Sequence, residues 1–182
     1  MIHSSPSSVH HTARTLWLTG LSASGKTTLA NAVAQRLTDR GIVCKVLDGD
    51  ELRNGLCAGL GYSREDRREN IRRAAEACRL LNSVGVVVIA ALISPYREDR
   101  ESARQIIGLS AFREIWIAAP LSVCEDRDPK GLYRKARSGE IRGFTGVDDP
   151  YEVPIDPYLA LDTHRLGVVE CVINLESIIY QE

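Results

Sequence analysis

The chain has 182 residues, 44% of them hydrophobic and 26% charged, with a formal net charge of −1. That length suits one compact domain with its own core. The near-zero charge excludes bulk attraction to nucleic acid or to an anionic membrane, so any polyanion must meet a local basic pocket.

The first residues, MIHSSPSSVHHTAR, lack the basic-then-apolar order of a signal peptide. Their Ser, His and Pro content predicts a flexible arm over residues 1–14, followed by a single domain over 15–182. His10 and His11 have no third ligand beside them and read as tail residues without a metal role. Leu16-Trp17-Leu18 predicts a first strand, and it leads into Gly20-Leu21-Ser22-Ala23-Ser24-Gly25-Lys26-Thr27-Thr28. Between a strand and a helix, G-x-x-x-x-G-K-T is the P-loop pattern. Its glycines let backbone N–H groups turn onto phosphates, and the helix N-terminus adds partial positive charge. Lys26 is placed to reach the β- and γ-phosphates of a nucleotide, and Thr27 to ligate Mg²⁺. The motif specifies nucleoside triphosphate binding and says nothing of what happens to the phosphate.

Residues 27 to 40 read as a helix, with Leu29, Val33 and Leu37 on one stripe and Gly41 ending it. A second strand runs over 42 to 47 and meets Asp48-Gly49-Asp50-Glu51-Leu52-Arg53. In an open α/β sheet, ligands bind outside the carboxyl ends of the strands, so Asp48 and Asp50 face the P-loop. They are candidates for the metal or for an acceptor proton. If a helix begins there, Arg53 shares the face of Asp50 and offers a fork to an anionic acceptor. Taken alone, Asp-Gly-Asp is also a common turn.

Ser63-x-x-Asp66 marks the start of another helix. Ile71, Ala74, Ala75, Cys78 and Leu81 form its buried stripe, and Arg67 and Asn70 are neighbours near its N-terminus, placed together to bind an anion and a base or ribose. Arg72 and Arg79 read as solvated, with Glu76 between them at pairing distance. Residues 84 to 93 contain VVVIAALI, too continuous for a half-exposed strand, which predicts a central buried one ending near Ser94. Residues 115 to 118 predict a fourth strand and 159 to 161 a weaker fifth. Residues 168 to 180 predict a closing helix with Val168, Cys171, Val172 and Leu175 at helical spacing. Between the last two strands, 126 to 157 is rich in Gly, Asp, Pro and Arg and long enough to be a mobile lid. The fold class is therefore α/β in three layers: a mostly parallel five-stranded sheet with helices on both faces. Five scattered cysteines without a C-x-x-C pair predict reduced thiols and a cytoplasmic location. No apolar run approaches the roughly 20 residues needed to span a bilayer.

Taken in order, GLSASGKTT, DGDELR, LGYSREDRRENIRR, ISPYREDR and DPKGLYRKARSGEIRGFTGVDDPYEVP closely resemble the adenylylsulfate kinase family. The resemblance covers about residues 15 to 180. It implies a P-loop kinase that uses ATP and Mg²⁺ to phosphorylate the 3′-hydroxyl of adenosine 5′-phosphosulfate (APS), giving 3′-phosphoadenosine 5′-phosphosulfate (PAPS). Asp50 falls on the family's catalytic aspartate, which orients the acceptor hydroxyl. Arg53, Arg67, Asn70, Ile93, Lys130 and Gly143 match family contacts to APS. Tyr62, where the family usually has Phe, and Phe144 match the two aromatics that sandwich the APS adenine. Ser94 matches a position described as a phosphoserine intermediate, although direct in-line transfer needs only the P-loop and Asp50. Arg127 is placed to stack on the ATP adenine, and Leu166 and Cys171 align with backbone contacts to ATP. The resemblance also implies a homodimer and, with no room for a fused sulfurylase domain, a functional link to a separate ATP sulfurylase. The alternatives are a P-loop kinase for another small acceptor and a nucleotide switch without transfer.

Overall fold

The structure, a computed structural model, describes residues 12–180. Most of the expected N-terminal arm, including His10 and His11, lies outside the described residues. Of its last three, Thr12 donates its N–H to the Ile179 carbonyl (3.4 Å). Arg14 is buried and donates from Nη1 to the Ile178 carbonyl (2.9 Å).

Five strands, β1 (Thr15–Thr19), β2 (Cys44–Asp48), β3 (Val87–Ala91), β4 (Phe112–Ile117) and β5 (Leu159–Leu161), form one sheet. Its order is β2-β3-β1-β4-β5 and every pairing is parallel. Helices α1 (Lys26–Asp39) and α7 (Val168–Ile179) cover one face, where Leu16, Leu18, Val87, Ile89 and Ala91 meet Leu29, Val33, Leu37, Cys171 and Leu175. Helices α3 (Arg64–Ser83) and α4 (Arg97–Ile107) cover the other, where Trp17, Val88 and Ala90 meet Ile71, Ala74, Cys78, Ala103 and Ile107. Alternate residues of a strand point to opposite faces, so a strand covered on both sides must be apolar throughout. That accounts for the unbroken VVIAA of β3, which lies inside the sheet between β2 and β1. The middle strand is β1, however, and the ten-residue run expected over 84 to 93 supplies only five strand residues. Residues 84 to 86 turn out of α3, where Val84 and Gly85 donate to its last carbonyls.

Two other expectations change. The α7 stripe consists of Cys171, Val172, Leu175, Ile178 and Ile179; Val168 sits in its first turn beyond the sheet and is half exposed. Arg79 pairs with Glu76 as expected, whereas Arg72 pairs with Glu69, one turn in the other direction. Helix α4 was not visible in the sequence pattern because its buried stripe includes Asp99 and Arg100 beside Ala103 and Ile107. The segment 126 to 157 is not structureless: it holds the end of α5 (Leu121–Arg127), the short α6 (Leu132–Arg137) and a parallel bridge from Thr145 to Asp149. No helix among the described residues is long and apolar enough to cross a membrane, and all five cysteines are free thiols.

Candidate active site

A parallel sheet sends the carboxyl ends of all its strands to one edge. Gly20 follows β1, Asp48 ends β2, Ser94 follows β3, and Thr163 follows β5. Asp48, Ser94 and Thr163, with the loop that Gly20 opens, meet at a cavity of about 810 Å³, within the range of small-molecule sites.

The donor side is built from backbone. Gly20 has φ 153°, and a Cβ there would lie 2.6 Å from the Ile117 carbonyl; Gly25, with φ 107°, caps α1. Only glycine suits both demands. Lys26 is buried, and its Nζ donates to the carbonyls of Gly20 (3.0 Å) and Leu21 (2.7 Å). Burial disfavours its charge and pulls its pKa down to about 8. A polyphosphate would supply the countercharge that burial withholds. The loop is braced from outside at Ala23 and Ser24 by two residues. Thr163 Oγ1 donates to the Ser24 carbonyl (2.7 Å), and Arg127 spans the Ala23, Ser24 and Thr163 carbonyls (3.4, 3.3 and 2.7 Å).

Asp48 links the two halves. Its Oδ2 accepts from Thr27 Oγ1 (2.7 Å), and its Oδ1 caps helix α2 (Gly49–Asn54) by accepting the Asp50 N–H (2.9 Å). The DGD turn is thus a helix start, which carries Asp50 and Arg53 on one face. Among the described residues no cluster of three or more His, Cys, Asp and Glu is arranged to hold a metal. One hydroxyl with one or two carboxylates is nevertheless a hard-oxygen set. It suits Mg²⁺, which keeps several waters and shares phosphate oxygens.

The acceptor side is built from side chains. Asp50 is exposed to the cavity and ion-paired with Lys130, whose pKa that contact raises. Arg53 donates to the Leu60 and Gly61 carbonyls (3.3 and 2.9 Å) and lies 4.3 Å from the Tyr62 ring. Arg67 is buried and donates to the carbonyls of Tyr62 (3.0 Å) and Gly143 (2.7 Å). Asn70, also buried, lines the same cavity with its Nδ2 unpaired. Phe144 packs edge-on against Tyr133 with ring centroids 5.0 Å apart. Its turn is shaped by Asp148, which accepts the N–H groups of Gly143 (2.8 Å) and Phe144 (2.7 Å). Those two bonds hold the Asp148 carboxyl below its ordinary pKa.

Ser94 is 98% buried, with φ 40° in the left-handed region that a non-glycine residue rarely occupies. Its Oγ accepts from Trp17 Nε1 (3.1 Å) and donates to the Leu92 carbonyl (3.4 Å), while Arg100 Nη1 donates to its carbonyl (2.8 Å). The hydroxyl is built into the scaffold beneath the cavity.

Ser22, Ala23, Gly25, Lys26, Thr27, Thr28, Asp48, Asp50, Arg53, Tyr62, Arg67, Asn70, Ile93, Ser94, Arg127, Lys130, Gly143, Phe144, Leu166 and Cys171 all line this one cavity. Gly20, Leu21 and Ser24 do not: Gly20 and Leu21 turn their carbonyls to Lys26, and Leu21 packs into a separate cavity of about 620 Å³. Sequence reading missed Thr163, Tyr133 and Asp148. Nothing local marks Thr163, while Asp148 lay inside a quoted motif but carries a structural load no spacing rule announces. Tyr133, from the first part of the expected lid, donates its hydroxyl to the Ser22 carbonyl (3.1 Å) and packs against Phe144.

Comparison with known proteins places this geometry. The family model described as adenylylsulphate kinase matches residues 12–162. A protein named probable adenylyl-sulfate kinase, from Halalkalibacterium halodurans, is 52% identical over 167 residues, which is 92% of this chain and 83% of that one. The APS kinase of Mycobacterium tuberculosis, solved in complex with AMPPNP and APS, superposes with a TM-score of 0.89 at 43% identity, covering 93% of this chain and 99% of that one. A hexameric APS kinase from Thiobacillus denitrificans superposes at 0.69 and 32% identity, covering 94% of this chain and 30% of that longer one. With the P-loop, Arg53, Arg67, Tyr62 and Phe144 gathered at one cavity, and on the family match and these relatives, the chain belongs to the adenylylsulfate kinase family.

Proposed function

We propose that this protein transfers the γ-phosphoryl group of ATP to the 3′-hydroxyl of APS, giving PAPS and ADP. The observation that carries the reading is the single cavity in which the P-loop and the Tyr62, Arg67, Asn70 and Phe144 cluster are joined across Asp50. A switch needs only the first of these; a kinase needs both.

Phosphoryl transfer requires positioning and charge neutralisation more than covalent help from the protein. Lys26 and the α1 N-terminus hold the β- and γ-phosphates, and Thr27 and Asp48 are the residues that would hold Mg²⁺. Held there, the ion would neutralise negative charge that develops on the transferred phosphoryl group. Tyr62 and Phe144 stack the acceptor adenine, and Arg53 and Arg67 face its phosphosulfate. Lys130 fixes Asp50 Oδ2, leaving Oδ1 to orient the 3′-hydroxyl and take its proton. The acceptor oxygen–phosphorus bond forms as the bond to the β–γ bridging oxygen breaks, and ADP leaves. The occupied hydroxyl of Ser94 favours this direct route over a phosphoserine step.

The 126–157 segment acts as the lid. In support of this, Lys130, Arg127 and Tyr133 touch Asp50 and the P-loop from above, and closure would exclude water from transfer. Family resemblance supports a cytoplasmic homodimer supplied with APS by a separate ATP sulfurylase. The test is incubation with Mg-ATP and APS, following PAPS and acceptor-dependent ADP. Absence of acceptor-dependent ADP, or equal turnover of a sugar acid or nucleoside monophosphate, overturns the assignment.

A further inference from the structure

Arg67 is held by more than the two carbonyls already described. Its Nη2 lies 3.6 Å from Asp149 Oδ2, and the Asp149 side chain is only 19% exposed. Asp149 Oδ2 is itself enclosed and makes no hydrogen bond. Its Oδ1 accepts the Tyr96 hydroxyl (2.8 Å). The Tyr96 ring lies 4.0 Å from the Arg64 guanidinium, and Arg64 is paired with the fully buried Asp99 (2.6 Å). Asp149 also ties its own loop together, since its carbonyl accepts the Gly146 N–H (2.8 Å). A carboxylate that is largely buried with one oxygen unbonded is costly unless a nearby charge compensates it, and Arg67 is the closest cation.

We infer that Asp149 is a positioning residue for the acceptor, holding Arg67 and, through the Arg67–Gly143 bond, the turn that carries Phe144. The inference rests on the kinase reading above and names a residue that does not touch the substrate. Tyr96 aims the carboxylate, and the carboxylate aims the guanidinium. Arg67 is thereby kept between Tyr62 and Gly143, the two ends of the acceptor's aromatic sandwich. The two groups that meet the Asp149 carboxylate, Arg67 and Tyr96, lie outside the glycine loop, so losing its charge should disturb acceptor recognition and spare the donor. A misplacement of about 1 Å is enough to weaken recognition substantially.

The test compares Asp149→Asn, Tyr96→Phe and the double variant with the wild-type enzyme. PAPS formation gives kcat and the KM for APS, and calorimetric titration gives the Kd for Mg-ATP. Asp149→Asn should raise the KM for APS roughly tenfold, the scale of losing a charged hydrogen-bonding partner. Its kcat and Mg-ATP Kd should stay within about twofold of wild type. Tyr96→Phe should act in the same direction but less, and the double variant should resemble Asp149→Asn because the two residues act in series. An unchanged KM in both single variants overturns the inference. So does a Mg-ATP Kd that weakens in step with the KM, the mark of general loosening. If Asp149→Asn does not fold, Tyr96→Phe, which removes one hydroxyl, decides by the same split. A wild-type enzyme that makes no PAPS refutes the kinase assignment instead, whatever Mg-ATP binding shows.

Discussion

The two halves of the cavity are made in different ways. The donor half is one continuous stretch, residues 20 to 28, whose carbonyls and N–H groups are placed by two positive-φ glycines and the start of α1. The acceptor half is drawn from α2, α3, the loop after β3 and the segment between β4 and β5, and its work falls to side chains. Phosphates are alike in every nucleotide, so a backbone cradle suffices for them. A particular acceptor must be told from others by shape, stacking and charge, which needs several elements at once. Asp48 and Asp50 are the hinge of the comparison: the first is bonded to Thr27 of the donor half, the second to Lys130 of the acceptor half.

That division can be broken by mutation, beginning with its deepest point. Lys26→Met should lower kcat/KM about a thousandfold, the scale of removing a donor aimed at developing charge. Mg-ATP binding should weaken with it, as equilibrium titration will read. Asp50→Ala belongs to both halves and should cut kcat by about a hundredfold or more. A KM for APS that rose instead, at constant kcat, would make Asp50 a binding residue. Phe144→Ala should spare kcat at saturating APS and raise the KM for APS about tenfold, since a stacked base is worth roughly 1–3 kcal/mol. An equal loss of Mg-ATP affinity would show that the halves are not separable at the Phe144–Tyr133 contact. The smallest effect is expected of Thr163→Val, which deletes the Oγ1 hydrogen bond to the Ser24 carbonyl and the longer one accepted from Arg127 Nη1 (3.3 Å), together worth about 1 kcal/mol. The Kd for Mg-ATP should rise about fivefold with the KM for APS unchanged.

Much of this was legible in the chain itself, for identifiable reasons. The P-loop is readable because its function is carried by backbone, and backbone conformation is written locally in Gly20 and Gly25. The strands are readable because burial on both faces demands unbroken apolar runs such as VVIAA. Helix α4 was unreadable for the opposite reason: Asp99 and Arg100 are buried by pairing with Arg64 and Glu114, so its core face carries charge. Arg67, Asn70 and Phe144 were picked out through resemblance. Without it, spacing alone put Arg67 and Asn70 side by side near a helix N-terminus, placed to bind an anion and a base or ribose but with no ligand named.

By itself, then, the sequence determined the local conformations: which stretches are strands, where α1 and α3 begin, and that residues 20 to 28 form a glycine loop running into a helix. These follow from dihedral preference and from periodicities of two and 3.6, which act over a few neighbours. Only the tertiary structure decided which polar groups meet across the fold. Lys130 meets Asp50 across 80 positions, Arg67 meets Gly143 across 76, and Thr163 meets Ser24 across 139. Such pairings depend on how a parallel sheet brings its carboxyl ends to one edge. No local rule contains that information, because a buried charge is stabilised by whatever the fold places beside it.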